Sequence, residues 1–180
     1  MNICVFCGSA TGTDPVYAAA ARQLVSVLLK NNCTLVYGGG NIGLMGILAD
    51  EMMKKNGHVI GVIPDFLVQR EVAHNGISEL VVVGSMHERK KRMADLSDAF
   101  IALPGGMGTL DELAEILTWK QLGLIQNPVG LLNVESYFDP LIAQLNRMTV
   151  AGFLKKENLD AIKVSDNPEH LFTLLGVDTV

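Results

Sequence analysis

The densest run of chemistry-bearing residues is Pro104-Gly105-Gly106-Met107-Gly108-Thr109-Leu110-Asp111-Glu112, which follows the apolar run Ala99-Phe100-Ile101-Ala102-Leu103 and leads into an amphipathic helical pattern. Glycines at a strand-to-helix turn let the backbone approach a ligand, and the N–H groups of the next helix's first turn attract an anion, above all a phosphate. Glu112 then falls in the first helical turn, where a carboxylate is out of place beside an anion unless it faces the other end of the same ligand. That pairing points to a nucleotide or sugar phosphate and a reaction on it. A local reading competes, because Thr109-Leu110-Asp111-Glu112 also fits a Ser/Thr-x-x-Glu capping box. Glu115 one turn on, followed by Thr118 and Trp119, gives the same helix further polar groups and favours the chemical reading. Trp119 taken alone is usually core.

A cationic partner lies upstream. Met86 and Met93, seven apart, mark the buried stripe of a helix, and Arg89 sits beside that stripe while Lys91 and Arg92 read as solvated charge. A partly buried arginine requires an anion. His87 reads as a helix-start histidine, and His58, His74 and His170 form no constellation. No Gly-x-Ser-x-Gly elbow and no Gly-x-x-x-x-Gly-Lys-Ser/Thr loop is present, which argues against a serine hydrolase and a P-loop NTPase.

Two other apolar runs end in small or glycine-rich turns, Gly8-Ser9-Ala10 and Gly38-Gly39-Gly40-Asn41. Gly8 alone reads as a tight turn, and Ser9 either donates to a phosphate or caps the next helix. Gly38-Gly39-Gly40-Asn41-Ile42-Gly43 satisfies Gly-x-Gly-x-x-Gly, with Asp65 where a ribose-binding acid would stand. That fingerprint belongs to the first strand of a dinucleotide fold, however, and here it follows the second.

Short apolar runs alternate with helical patterns throughout, which predicts an α/β fold: a Rossmann-like parallel sheet with helices on both faces, in a single domain spanning 1–180. The expected strands are Asn2 to Cys7, Thr34 to Tyr37, Val59 to Ile63, Leu80 to Val83, Ala99 to Leu103, Val129 to Leu132 and a weaker Ile162 to Val164. The expected helices are Tyr17 to Lys30, Leu44 to Lys55, Met86 to Leu96, Leu110 to Leu122, Tyr137 to Met148 and Pro168 to Leu175. Ligands in such sheets collect at the carboxyl ends of strands, where every glycine-rich turn falls. Val68 to Ser78 is the longest irregular stretch and reads as a loop over the site.

With 49% hydrophobic and 18% charged residues among 180, the chain is apolar enough to bury surface against a partner, for which a homodimer is the simplest expectation. The net charge of -5 and the lack of a basic run beyond His87-Glu88-Arg89-Lys90-Lys91-Arg92 argue against polymeric nucleic acid as a partner. Cys4, Cys7 and Cys33 are odd in number; Cys4 and Cys7, three apart on a strand, point to opposite faces and make neither a disulfide nor a metal pair. Neither a signal peptide nor a membrane span is supported, so a cytoplasmic location is expected.

The segments Val5-Phe6-Cys7-Gly8-Ser9, Val36-Tyr37-Gly38-Gly39-Gly40, Gly43-Leu44-Met45-Gly46, Gly61-Val62-Ile63-Pro64, Met86-His87-Glu88-Arg89-Lys90 and Pro104 to Glu112 together closely resemble the Lonely Guy (LOG) family. That family comprises cytokinin riboside 5'-monophosphate phosphoribohydrolases, once widely labelled lysine decarboxylases. The resemblance runs from Cys4 to about Phe153. It implies that Arg89 and Glu112 are the catalytic pair, that Gly106, Met107, Gly108 and Thr109 hold the 5'-phosphate, and that Lys90, Glu71 and Thr118 contact the nucleotide. Gly8, Ser9, Gly39, Gly40, Gly105, Met86 and Glu115 complete the candidate substrate site, which calls for no metal and no cofactor. Met107 departs from the family, since plant members commonly carry Tyr at that variable position, and this bears on base or side-chain preference. The activity implied is hydrolysis of a cytokinin riboside 5'-monophosphate, or of AMP, to free base and ribose 5-phosphate, at a site near a subunit interface. A non-catalytic nucleotide carrier is the alternative of another class. The older decarboxylase label would need a pyridoxal phosphate lysine in a pocket, and no lysine is placed for one.

Overall fold

The apolar runs pair side by side in the computed structural model, which describes residues 1–68 and 73–177. In chain order the elements are β1 (Asn2–Phe6), α1 (Pro15–Lys30), β2 (Thr34–Tyr37), α2 (Gly43–Lys54), β3 (Val59–Pro64), β4 (Glu79–Val83), α3 (Met86–Asp95), β5 (Ala99–Ala102), α4 (Met107–Gln121), β6 (Val129–Leu132), α5 (Asp139–Val150), α6 (Lys156–Asp160), β7 (Ile162–Ser165) and α7 (Pro168–Leu175). The strands form one parallel sheet in the order β4-β3-β2-β1-β5-β6-β7. Both neighbours of β1 meet it in register, Cys4 lying opposite Val36 on one side and Phe100 on the other. The chain steps outward from β1 to β4, crosses back, and steps outward again from β5 to β7. The direction of winding therefore reverses between β1 and β5, which is where a crevice opens at the carboxyl edge of such a sheet.

Alternation along β1 sorts the core into two layers. Ile3, Val5 and Cys7 pack with Leu24 and Leu28 of α1, Leu48 and Met52 of α2 and Phe172 of α7. Cys4 and Phe6 turn the other way, toward Met93 of α3, Leu113 and Ile116 of α4 and Phe138. The helices thus cover both faces, as expected, and Cys4 and Cys7 are free and buried on opposite sides of the sheet. Among the described residues no helix is long and apolar enough to cross a membrane.

The helix starts differ from the sequence expectation for local reasons. Proline fits the first turn of a helix, so α1 begins at Pro15, capped by Asp14, whose Oδ1 accepts the Val16 amide at 2.9 Å. The competing capping box at Thr109 does not form: α4 begins earlier, with Gly106 as its cap and no capping side chain, so Glu112 lies in the second turn. A closely related arrangement caps α3 instead, where Ser85 Oγ accepts the Glu88 amide at 3.1 Å and Glu88 Oε2 accepts the Gly84 amide at 2.8 Å. The short α6 was not anticipated. Ala73 bridges Gly40, and the His74 amide donates to the Gly39 carbonyl at 3.0 Å.

Burial pushes the thiols of Cys4 and Cys7 and the hydroxyl of Tyr37 well above their ordinary pKa values. The folded state therefore keeps protons that the unfolded chain gives up from about pH 8.5 upward, so unfolding releases protons there and stability falls as pH rises. Each group contributes up to about 1.4 kcal/mol per pH unit above its unfolded pKa. Stability unchanged between pH 7 and 8 but declining steeply between pH 9 and 11, followed by chemical denaturation, is the expected result.

Candidate active site

The carboxyl ends of β1, β2 and β5 bring three turns together backbone to backbone. The Gly8 amide donates to the Pro104 carbonyl at 3.1 Å, and the Leu44 amide donates to the Gly8 carbonyl at 3.1 Å. This proximity dictates which residues can stand there. A Cβ on Gly105 would lie 2.1 Å from Thr109 Oγ1 and 2.7 Å from the Gly8 amide nitrogen, and one on Gly43 would lie 2.2 Å from the Ser9 carbonyl carbon. Gly106 and Gly108 are different. A Cβ on either would meet nothing within 4 Å, so protein packing does not account for them.

What they border is a cavity of about 240 Å3. Its glycine side is formed by Gly8, Ser9, Gly106, Met107, Gly108 and Thr109, while Met45, Leu67 and Met86 supply an apolar side. The first backbone bond of α4 runs from the Leu110 amide to the Gly106 carbonyl at 3.2 Å. The amides of Met107, Gly108 and Thr109 precede it and have no acceptor within the helix, which makes this end an anion seat.

Arg89 and Glu112 border the same cavity. Arg89 is only 5% exposed; its Nε donates to the Val62 carbonyl at 3.1 Å and its Nη2 to the Gly38 carbonyl at 2.9 Å. The glycine at 38 is a steric requirement of that placement, since a Cβ would lie 2.1 Å from Arg89 Nη2. Below them lies Cys7, whose thiol is pushed far up by burial; the charge of Glu112 adds to the rise and that of Arg89 opposes it. The thiol is a neutral floor to the site, not a nucleophile.

Lys90, next to Arg89 in sequence, points elsewhere. Its Nζ lies 3.1 Å from Glu115 Oε2 and 3.2 Å from Asp111 Oδ2, bracing α3 against α4. Burial works against its charge, but the hydrogen bonds and charges of Glu115 and Asp111 outweigh that and raise its pKa. The structure therefore joins Gly8, Ser9, Met86, Arg89, Gly106, Met107, Gly108, Thr109 and Glu112 around one space and leaves Lys90 and Glu115 beside it as an ion pair. Thr118 is exposed, its hydroxyl donates back to the Ala114 carbonyl at 2.7 Å, and it faces a separate groove. Gly39 and Gly40 are buried behind the turn, Gly39 with φ of 78° and no room for a Cβ beyond 3.1 Å from Ile63. Gly105 faces a smaller neighbouring cavity, and Glu71 lies outside the described residues.

A family model described as possible lysine decarboxylase matches residues 45–175. The chain is 50% identical over 153 residues to the cytokinin riboside 5'-monophosphate phosphoribohydrolase LOG1 of Arabidopsis thaliana, covering 85% of this chain and 72% of the relative. It is 44% identical to LOG2 of the same plant, with 97% and 82% covered. The chain belongs to the LOG family. Among solved structures, the Moco carrier protein of Chlamydomonas reinhardtii superposes with a TM-score of 0.71 at 19% identity, covering 98% of this chain and 96% of that one. The molybdenum cofactor binding protein of Rippkaea orientalis gives 0.70 at 23%, covering 97% and 94%. At those identities the likeness is one of fold.

Membership accounts for the Gly-x-Gly-x-x-Gly match without a dinucleotide. In this LOG-family chain Gly38 clears Arg89, Gly43 clears Ser9, and Asp65 is exposed with its carboxylate on the amide of its own neighbour Phe66. Six cavity residues escaped the sequence reading. Val5, Cys7, Gly38, Met45 and Asp111 sat inside matched segments without being singled out as site residues, and Leu67 carried no signal at all. Met107, at the family's variable position, is 81% exposed at the rim.

Gly38→Ala is expected to displace the Arg89 guanidinium and to cost about 1–3 kcal/mol of stability in chemical denaturation, the usual penalty of overpacking. A variant as stable as the parent would mean that Arg89 has room to move.

Proposed function

We propose that this LOG-family protein hydrolyses the N-glycosidic bond of a nucleoside 5'-monophosphate, foremost a cytokinin riboside 5'-monophosphate, to free base and ribose 5-phosphate. The observation that carries the reading is the composition of one cavity: glycines that open onto empty space at a helix N-terminus, with Glu112 and Arg89 on the same space. Relatives at 43–50% identity bearing that activity in their names support the choice of substrate.

The glycine turn and the amides of α4 take the 5'-phosphate, which anchors the ribose and supplies binding energy away from the reacting bond. As the bond to the base breaks, its electron pair leaves with the base, which takes a proton from solvent, and positive charge develops at C1'. Glu112 stabilises that charge and takes a proton from the water that adds to C1'. Arg89, held by two carbonyls, presents its charge to the phosphate or to the departing base. The apolar side formed by Met45, Leu67 and Met86 suits the base and its substituent.

The decarboxylase label of the family model finds no support here, since among the described residues no lysine borders the cavity and the nearest in sequence, Lys90, is committed to Glu115 and Asp111.

The assembly we propose is a homodimer. None of the residues of α5 is buried, and between α4 and α5 runs an apolar groove of about 340 Å3 lined by Leu113, Leu117, Leu141, Leu145 and Met148. Nearby Val150 and Phe153 are 80% and 85% exposed. A second copy seated there would cover this surface and bring Thr118, which does not border the cavity of its own chain, to the neighbouring one. Three buried, unbridged thiols fit a reducing, cytoplasmic setting.

Incubation with AMP and with isopentenyladenosine monophosphate, followed by chromatography of base and ribose 5-phosphate, tests the activity. Glu112→Gln should lower kcat by at least about 100-fold and leave KM within about threefold, the pattern of a lost transition-state interaction. Full activity in the variant would overturn the role of Glu112, and tight nucleotide binding without product from the parent would favour a carrier. In sedimentation, the parent is expected at twice the chain mass and Leu145→Glu as a monomer.

A further inference from the structure

We infer that Tyr137 is a positioning residue for the phosphate seat, acting through the Gly105–Gly106 peptide; the inference rests on the reading above that this turn holds the 5'-phosphate. The Tyr137 hydroxyl donates to the Gly105 carbonyl. A trans peptide is planar and its N–H points opposite to its C=O, so fixing the Gly105 carbonyl fixes the Gly106 amide in the opposite direction. Tyr137 and Gly105 face the smaller cavity, whereas Gly106 borders both cavities. The tyrosine thereby turns the Gly106 amide toward the larger one, beside the amides of Met107, Gly108 and Thr109.

A peptide between two glycines needs such a tie. Neither residue has a Cβ to restrict rotation, so the plane would otherwise sample orientations that remove a donor from the seat. A hydrogen bond to the carbonyl also polarises the peptide and strengthens its N–H as a donor.

The chain commits several features to holding this side chain. Glu135 and Ser136 both adopt positive φ, 48° and 57°, a backbone conformation unfavourable for non-glycine residues, immediately before it. The Asn133 carboxamide knits the turn, its Oδ1 accepting the Phe138 amide at 2.7 Å and its Nδ2 donating to Asp139 Oδ1 at 2.8 Å. The ring stands edge-on to Tyr17 at 5.9 Å and to the buried Phe138 at 5.2 Å. Tyr17 is itself packed on Gly12, where a Cβ would lie 2.6 Å from the ring. Strain, side-chain bonding and aromatic packing thus converge on one hydroxyl, and that hydroxyl meets the phosphate turn.

Tyr137→Phe removes only the hydroxyl. Calorimetric titration with ribose 5-phosphate is expected to show a five- to tenfold weaker Kd, about the worth of one hydrogen bond. The KM for the nucleotide should rise by a similar factor while kcat stays within about twofold, and binding of adenosine, which lacks the phosphate, should be unchanged. Equal losses for phosphate-bearing and phosphate-free ligands, or no loss, would overturn the inference. Failure of the parent to bind ribose 5-phosphate would overturn the phosphate reading itself. Independently of any variant, the Gly106 amide resonance of the parent should move on titration with inorganic phosphate; a stationary Gly106 amide would also overturn the inference.

Discussion

The burial of one guanidinium governs the site. Taking a charged arginine out of water is costly unless its donors find partners, and the carbonyls of Val62 and Gly38, both at the carboxyl side of the sheet, accept from two of the five N–H groups of Arg89. The consequence reaches into the sequence of β2, whose following turn must start with glycine because the guanidinium occupies the space of a side chain. It also sets α3, since Arg89 reaches those carbonyls only from a helix that begins at Met86, and the Ser85 and Glu88 caps fix that beginning. The fold itself thus fixes where this positive charge stands.

The glycines of the three turns divide by what their missing side chains make room for. Gly38, Gly43 and Gly105 make room for protein: a guanidinium, the backbone of the neighbouring turn, and a threonine hydroxyl. Gly106 and Gly108 make room for nothing in the chain. The first group lets backbones from β1, β2 and β5 meet at the reversal of winding, and the second leaves the amide end of α4 accessible. One turn of sequence thus serves packing on one side and leaves open space on the other, and the boundary falls between Gly105 and Gly106.

The helix bearing Arg89 is itself the crossover from β4 to β5 and the helix bearing Glu112 follows β5, and the two are tied directly to each other. Lys90 follows Arg89, Asp111 precedes Glu112, and their ion pair, shared with Glu115 one turn on, fixes the separation of α3 and α4. A lysine only 14% exposed with two carboxylates in reach is a firmer brace than a surface pair. Residues that flank Arg89 and Glu112 in sequence accordingly serve to place them.

By itself the sequence determined the sheet, the alternation of helices and strands, and the family. Period-2 and helical hydrophobic patterns are local, and the glycine turns lie in contiguous segments, so all seven strands and the convergence of the turns were legible within a residue or two. The opposite facing of Cys4 and Cys7 followed from strand geometry alone. Tertiary structure decided the rest. Thr109 and Glu112 obey a capping-box spacing, but contacts of the Gly105 turn with Gly8 start α4 earlier and bury Thr109 instead. Lys90, which the family resemblance sends to the nucleotide, pairs with α4 because the two acids in reach of it lie 21 and 25 positions away and only the fold brings them near. Tyr137, 32 residues from the carbonyl it binds, gave no signal, because a hydrogen bond between distant segments leaves no periodic trace in either of them.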